Sequence, residues 1–397
     1  MQAEINIGLL GHVDHGKTTL TKSLSGKWTA THSEELKRGI SIRMGYADAT
    51  TRYCEKCKTY SFDEKCKTCG STGKVVRRIS FLDAPGHETL MTTAISASTL
   101  IDGALFLIAA NEPCPQPQTA EHLMVLNAMG IKNIIIVQTK VDLVDKDKAI
   151  ENYRQIKEFV KGSVAENAPI VPISANHNVN IEKLVGYIEK VIPTPARDKN
   201  AKLRMYISRS FDVNRPGTDL KKLKGGVLGG SIVSGSLKVG DMVELKPGIT
   251  RKEGSKTNSL KFKVTSLREE NDDLTEATAG GLVAVGTELD PAVTKSDALI
   301  GSVIGKVGDL PEVSDTVKIK YELLERKDME NPPLKMGEPV VVNAHTATNV
   351  GVIMNLAKGI ATVKMKKICL IEAKTKVALS RRMGQRWRLA GWGEVVA

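Results

Sequence analysis

A glycine-rich segment near the amino end has the residue types and spacing of a phosphate-binding loop. Residues 11–18 are GHVDHGKT and match the pattern G-x-x-x-x-G-K-[ST]. Gly11 and Gly16 let the backbone curl so that amide groups point at a phosphate. Lys17 would neutralise β- and γ-phosphate charge, and the Thr18 hydroxyl is a magnesium ligand. The alternative is a glycine-rich turn that only starts a helix, but a strand-like run directly precedes the motif.

A second segment, DAPGH at residues 83–87, also follows a strand-like run. The carboxylate of Asp83 can hold magnesium through water, and the Gly86 N–H group can sense a γ-phosphate. On its own this segment is a weak signal. After a phosphate loop, it indicates a nucleoside triphosphatase.

Two later segments favour guanine as the base. Residues 139–142 are TKVD, and the Asp142 carboxylate can accept hydrogen bonds from N1–H and the exocyclic amine of guanine. Adenine offers neither pattern. The stem of Lys140 can lie over the purine ring, and residues 174–176, SAN, can present the Ala175 N–H to guanine O6. Four segments in this order, each after a strand, predict a GTP-binding domain.

Four cysteines have the spacing of a zinc knuckle. Cys54 and Cys57 form one C-x-x-C pair, and Cys66 and Cys69 form another after eight residues. Each pair can place two sulfur atoms on one tetrahedral metal ion, which predicts a closed, structural zinc site. Disulfides and free thiols are the alternatives, although six cysteines in 397 residues are too few for a disulfide scaffold. Two further cysteines are isolated in the sequence: Cys114 and Cys369.

The elements that must position these residues alternate between strand and helix up to about residue 190. Apolar runs such as INIGLLG, RRISFLD and NIIIVQT are separated by helix-like stretches such as TAEHLMVLNAMG. This pattern predicts a parallel sheet covered by helices on both faces. Such sheets bind ligands at the carboxyl ends of their strands, where the polar motifs fall.

The pattern changes after the segment IPTPARD, in which Pro193 and Pro195 end the last helix. From Leu203 onward, short strands with glycine and aspartate turns predict antiparallel barrels, and KVGDLPE at 306–312 marks a second boundary. The predicted domains are an α/β GTP-binding domain at 1–195 with a four-cysteine insert at about 52–74, and two β-barrels at 201–305 and 310–397.

The charge of the chain favours a polyanionic partner. Fifty-seven basic and 45 acidic residues give a formal charge of +12, and residues 358–388 contribute ten basic residues and one acid, Glu372. Apolar and charged residues alternate in this segment, which a solvated face of a half-buried sheet also explains. Both interpretations can hold, since one face of the sheet can pack while the other contacts phosphate. Aromatic residues make up 4%, so backbone recognition is favoured over base stacking.

Membrane insertion and secretion are not predicted. The longest apolar runs, such as IDGALFLIAA, are shorter than the ~18–20 residues that a membrane span needs. The N-terminal MQAEINIGLL has no basic and then apolar leader. We therefore expect a cytoplasmic protein.

Longer stretches carry a family resemblance. The segments GHVDHGKTTL, RGISI and DAPGH resemble the translational GTPases, the group that contains elongation factor Tu, and KGGVLGGSIVSGSLKVGDMVELKPG resembles their second-domain barrel. Within this group, WTATHSEELKRGISIRMGYAD, the four-cysteine insert and GQRWRLAGWG resemble the gamma-subunit family of initiation factor 2, above all its archaeal members. The resemblance implies a P-loop GTPase domain followed by two antiparallel β-barrels.

The resemblance also implies roles for individual residues. His87 would orient the attacking water, while Lys17 and Asp83 complete the catalytic set. The alternative is that the His87 loop senses phosphate and catalyses little. We expect slow hydrolysis until a partner or the ribosome orders this loop. The magnesium ligands, with a second cation near the γ-phosphate, would be Thr18, Ser41, Asp14, Gly39 and Asp83. The nucleotide contacts would be Asp14, His15, Gly16, Lys17, Thr18, Thr19, Gly86, Thr139, Lys140, Val141, Asp142, Ser174, Ala175 and Asn176.

Two positions depart from the family pattern. Thr139 stands where the guanine motif usually begins with Asn, so the amide that tethers the loop and reaches the purine is lost. We expect weaker nucleotide affinity with an unchanged base preference. Ser41 stands where most of the group has Thr, and its hydroxyl still serves as a ligand.

The implied function is a GTPase that carries initiator methionyl-tRNA to the small ribosomal subunit and releases it after GTP hydrolysis. The implied partners are that tRNA, the alpha and beta subunits of the factor, the small ribosomal subunit and mRNA, with no membrane. An elongation-type or selenocysteine-specific tRNA carrier is the nearest alternative. A structural subunit that holds GTP without cycling is another.

Overall fold

The structure is a computed structural model, and it describes residues 1–29, 45–85, 95–96, 99–215, 217–249, 258–270, 272–326, 330–384 and 386–396. The chain divides into two compact units. One comprises Ala3–Pro195, and the other comprises Ala196–Ala397 together with Met1–Gln2. The domain limits expected from the sequence stay predictions.

The first unit contains a seven-stranded sheet. Its strands are β1 Ile5–Gly11, β2 Gly45–Cys54, β3 Thr59–Ser61, β4 Lys74–Asp83, β5 Gly103–Ala109, β6 Ile134–Thr139 and β7 Ile170–Pro172. Their order across the sheet is β3-β2-β4-β1-β5-β6-β7. The pairs β4–β1, β1–β5, β5–β6 and β6–β7 are parallel, which confirms the predicted α/β class.

The edge formed by β2 and β3 is antiparallel to its neighbours, and the sequence analysis did not predict these two strands. The kind of side chain that β2 buries explains why the sequence pattern did not predict it. In β2 the buried side chains are small or polar, among them Ala47, Ala49 and Thr51. A strand of this composition gives little apolar periodicity, so only its pairing with β4 defines it.

Four helices of this unit lie among the described residues. They are α1 Lys17–Ser25, α2 Pro117–Met129, α3 Lys146–Phe159 and α4 Ile181–Val191. The core on one face of the sheet joins Ile7 and Leu9 of β1 to Leu20 of α1 and Leu184 of α4. Only residues 12–16 separate the end of β1 from the start of α1, so this packing fixes the two ends of the loop between them.

A buried arginine joins β4 to the end of α4. The Arg77 guanidinium lies 3.0 Å from a Glu189 carboxylate oxygen, and both side chains are less than 10% exposed. It also donates to the carbonyl oxygens of Ile188 and Ile192 and to the Thr194 hydroxyl. These bonds satisfy carbonyl groups at the helix C-terminus, where a cation is favoured.

The second unit contains two antiparallel barrels, as the sequence predicts. Strands of the first are β8 Arg204–Phe211, β9 Val227–Ser234, β10 Ser236–Lys238, β11 Met242–Ile249, β12 Asn258–Glu269, β13 Asp272–Leu274, β14 Glu276–Thr278, β15 Val283–Thr287 and β16 Val303–Lys306. Their main sheet has the order β11-β16-β8-β9-β15-β12-β13, and pairing between β11 and β12 closes it. One short helix, α5 Pro291–Thr294, follows β15.

The second barrel is closed by six strands. They are β17 Ser314–Leu323, β18 Pro339–Ala344, β19 Ala347–Ala357, β20 Ile360–Cys369, β21 Lys376–Met383 and β22 Arg386–Val396. In β20, Val363 and Met365 point into the core while Lys364 and Lys366 are exposed. The alternating basic segment is therefore a barrel strand with an outer lysine face.

Candidate functional site

The phosphate loop joins the end of β1 to the start of α1. A Cβ atom on Gly11 would lie 2.4 Å from the carbonyl oxygen of Leu107 in β5, so no side chain fits there. Gly16 has φ 86°, a left-handed conformation that glycine adopts without strain. Crowding thus selects glycine at the first position, and backbone conformation selects it at the second.

The Lys17 side chain is buried against its own loop. Its Nζ atom donates to the carbonyl oxygens of Gly11 and His12, at 2.9 and 2.7 Å. Burial lowers the pKa of this amine to about 8, while the nearby carboxylates of Asp83 and Asp14 oppose the shift. The hydrogen bonds to Gly11 and His12 hold the Lys17 ammonium group beside the start of α1. A cation at this position is suited to binding phosphate.

Side-chain oxygen atoms that could ligate a metal ion lie close together near Lys17. The Thr18 hydroxyl donates to Oδ2 of Asp83 at 2.7 Å, and the Thr29 hydroxyl donates to the same atom at 2.8 Å. A hydroxyl and a carboxylate are the hard ligands that magnesium prefers. The donor set fits a magnesium ion, which would supply charge neutralisation for a bound triphosphate.

The end of β6 is bonded to the phosphate loop. The Thr139 hydroxyl donates to the carbonyl oxygen of His15 at 2.9 Å, and both side chains are buried. The His15 ring contacts the Leu107 carbonyl oxygen and a Glu112 carboxylate oxygen, at 3.0 and 3.3 Å. Burial lowers the pKa of His15 to about 4. The tether that the sequence analysis expected Thr139 to lose is thus made by its hydroxyl.

The residues predicted to recognise the base lie in two loops that meet beyond β6 and β7. Lys140 has φ 58°, and this turn leads into a short 3-10 helix at Val141–Leu143 that contains Asp142. A hydrogen bond from the Ser174 hydroxyl lowers the pKa of Asp142, so its carboxylate is ionised. The backbone at Ser174 pairs with Val179 and closes the loop that contains Ala175 and Asn176.

The four cysteines of the insert come together. Their Sγ atoms all lie within 4.8 Å of one another, and those of Cys54 and Cys69 are 3.5 Å apart, well beyond the ~2.05 Å of a disulfide. Hydrogen bonds from Ser71 lower the pKa of Cys69 to about 6, and its contact with Cys57 raises the pKa of Cys57 to about 12. Four such thiols cannot all ionise without a cation, so the group fits a metal ion.

Several predicted site residues fall outside the part of the chain that the structure describes. These are Gly39, Ser41, Gly86 and His87. The described residues place Asp14, Lys17, Thr18 and Asp83 at one end of the site. Thr139, at the end of β6, bonds to the phosphate loop and leads into the first of the two loops that contain the residues predicted to recognise the base.

The sequence patterns did not single out three residues that the structure places at the site: Thr29, Glu112 and His177. The Nε2 atom of His177 lies 3.7 Å from Oδ2 of Asp142. A carboxylate oxygen of Glu112 faces the His15 ring. Glu112 and His177 follow strand ends by a few residues, so a wider search beyond each parallel strand would have found them.

Comparison with known families accounts for most of the chain. Residues 2–194 match the model described as the elongation factor Tu GTP binding domain, and residues 225–305 match elongation factor Tu domain 2. Residues 315–395 match the model described as the C-terminal part of initiation factor eIF2 gamma.

Full-length relatives decide the family. Translation initiation factor 2 subunit gamma of Methanocaldococcus jannaschii is 55% identical over 401 residues, covering 99% of this chain and 98% of the relative. The chain belongs to this gamma-subunit family. The Pyrococcus horikoshii protein of the same name is 54% identical over 399 residues, which cover 99% of this chain and 97% of that relative.

A solved structure supports the same architecture. The bacterial selenocysteine-specific elongation factor EF-Sec superposes with a TM-score of 0.77 and 28% identity. The alignment covers 99% of this chain and 58% of that longer protein.

These comparisons confirm the nucleotide chemistry predicted from the sequence. The chain is a GTP-hydrolysing translational GTPase, and its GTPase domain binds GTP or GDP with magnesium. Within the described residues, no helix is both long enough and apolar enough to cross a lipid bilayer.

Proposed function

We propose that this chain carries initiator methionyl-tRNA to the small ribosomal subunit in its GTP-bound form and releases it after hydrolysis. The observation that carries this proposal is identity above half, over the whole length, to proteins named as gamma subunits of translation initiation factor 2. GTP would order the loops around the γ-phosphate, and loss of that phosphate would release them. Alpha and beta subunits, mRNA and a cytoplasmic setting belong to the same proposal.

At the phosphate end of the site, different residues would bind the phosphates, the magnesium ion and the attacking water. Lys17 would hold the β- and γ-phosphates and neutralise charge that develops on transfer. Thr18 and Asp83 would hold magnesium, and Asp14 a second cation near the γ-phosphate. Ser41, Gly39, Gly86 and His87 would complete the site, with His87 orienting the attacking water. Contacts to the guanine base would come from Asp142, Lys140 and Ala175.

The outer face of the second barrel offers a surface for RNA phosphates. Lys318 and Lys320 of β17 and Lys364 and Lys366 of β20 are exposed on the same side. Lys318 pairs with Thr362 in the register, so Lys364 is its diagonal neighbour across the two strands. Such a face would bind phosphates without reading sequence, and its affinity would fall with salt.

The test of the carrier function compares tRNA affinities. Initiator and elongator Met-tRNA are titrated against the complete factor with a GTP analogue or with GDP, with and without the partner subunits. The proposal predicts preference for the GTP analogue and for initiator tRNA. Equal affinity in the two nucleotide states would refute it.

Two alternatives have distinct outcomes in related experiments. Capture of a broad set of aminoacyl-tRNAs would favour an elongation-type carrier, and enrichment of selenocysteyl-tRNA would favour the kind of factor represented by EF-Sec. A non-cycling structural subunit would be favoured if Asp142→Asn left tRNA binding intact. This variant removes the carboxylate that recognises guanine.

We propose zinc for the four-cysteine cluster, because four thiolates in closed tetrahedral spacing are typical of structural zinc sites. Elemental analysis of the purified chain is expected to find one zinc ion. Cys66→Ser should lower zinc content and destabilise the insert, while Cys114→Ser, a cysteine outside the cluster, should leave zinc unchanged. Full zinc retention in Cys66→Ser would contradict the assignment.

A further inference from the structure

His177 occupies a position that the nucleotide chemistry described above does not explain. It follows Asn176 directly, in the loop that is closed by pairing between Ser174 and Val179. Its imidazole Nε2 atom lies 3.7 Å from Oδ2 of Asp142, the carboxylate that would accept the guanine hydrogen bonds. This distance is too long for a neutral hydrogen bond and within the range of an ion pair.

The protonated and neutral forms of this ring would act differently on Asp142. An imidazolium beside an ionised carboxylate is attracted to it, whereas a neutral imidazole has no net charge to pair. Guanine presents two donors, N1–H and the exocyclic amine, to the same carboxylate. A proton on His177 and a guanine base therefore compete for one acceptor.

We propose that His177 is a positioning residue for Asp142 that lets protons compete with guanine for this carboxylate. Binding of GDP or GTP would displace the imidazolium from Asp142 and favour loss of its proton. Guanine nucleotide affinity would then be lower with the imidazole protonated than with it neutral, so it would fall as the pH decreases.

The surroundings of the pair define what else could contribute. Lys140 is the other charged group that acts on Asp142. The hydroxyl of Ser174 and the side chain of Asn178, which accepts from Ser23, are uncharged. In the phosphate loop, His12 and His15 are further histidines, and burial lowers the pKa of both. A variant of His177 itself is needed to separate these contributions.

The expected size of the effect follows from exposure. The His177 side chain is 66% exposed and that of Asp142 is 22% exposed, so water and salt screen much of their attraction. Exposed ion pairs change equilibrium constants by roughly 1.4- to fivefold. We expect the dissociation constant for GDP to rise by a factor in this range between about pH 8 and about pH 5.5.

The test is calorimetric titration of the full chain with GDP at fixed magnesium concentration. Measurements at both pH values, in two buffers of different ionisation enthalpy, give the affinity and the number of protons released. His177→Gln should lose the proton release and bind more tightly than the unmodified chain at the lower pH. His177→Lys, which keeps a cation at every pH, should bind weakly at both.

Two results would overturn the inference. If His177→Gln keeps the whole pH dependence, the protons belong to other groups such as His12 or His15. If His177→Gln binds GDP more weakly at about pH 8, the imidazole assists the base instead of competing with it. The inference rests on the proposed guanine contact of Asp142, which Asp142→Asn tests separately by loss of GDP binding at the higher pH.

Discussion

The bond between Thr139 and the phosphate loop leads to a quantitative prediction. Thr139→Val keeps the shape of the side chain but removes the donor to the His15 carbonyl oxygen, which lies 2.9 Å away in a buried setting. A buried acceptor that loses its partner costs about 1–3 kcal/mol. We expect the free energy of unfolding of the chain to fall by that amount.

The same substitution should weaken nucleotide binding, because the tether orders the loop that faces the phosphates. Part of the lost stabilisation free energy had ordered the phosphate loop for nucleotide binding. Each ~1.4 kcal/mol of that part weakens GDP binding about tenfold. The assays are titration with a fluorescent GDP analogue and urea unfolding of the full chain. Thr21→Val is the matched control, since the buried Thr21 hydroxyl donates to the Lys17 carbonyl oxygen within α1. The Lys17 carbonyl oxygen also accepts the backbone hydrogen bond of the helix, so it keeps a partner in Thr21→Val. The effect of Thr21→Val on stability and on GDP affinity should therefore be small. Equal changes in GDP affinity for the two variants would refute the tether argument.

The remaining predictions concern other parts of the chain. Thr139→Asn should bind GDP more tightly with unchanged preference for guanine, because its longer amide can reach both the loop and the purine; unchanged affinity in the same titration would count against this. Arg77→Met should lower the free energy of unfolding in urea by about 3–5 kcal/mol, because it leaves the buried Glu189 carboxylate without its cation. The double variant Arg77→Met, Glu189→Leu should recover part of that loss, and a double variant as unstable as the single one would contradict the ion-pair explanation. Replacing Lys318 and Lys364 together by Gln should lower the slope of tRNA affinity against salt by about two, equally for initiator and elongator tRNA. An unaltered slope would exclude this face from RNA binding.

The sequence by itself determined the chemistry of the chain. The informative patterns are local, because in each of them the residues that act together are neighbours in the sequence. They are GHVDHGKT, DAPGH, TKVD and the paired C-x-x-C segments. The apolar runs before them predicted parallel strands, and such strands bring their carboxyl ends to one edge. That is why the nucleotide, the four-cysteine group and the order of α/β and β-barrel regions could be predicted without coordinates.

The tertiary structure decided the contacts between segments that are far apart in the sequence. Thr139 and His15 are 124 residues apart, and their bond depends on how β6 lies beside the phosphate loop. His177 and Asp142 meet because two loops beyond neighbouring strands turn toward each other. The antiparallel edge of β2 likewise depends on pairing with β4, since its own residues carry little apolar pattern. Local sequence specifies which groups are available, whereas packing of the whole sheet specifies which of them touch.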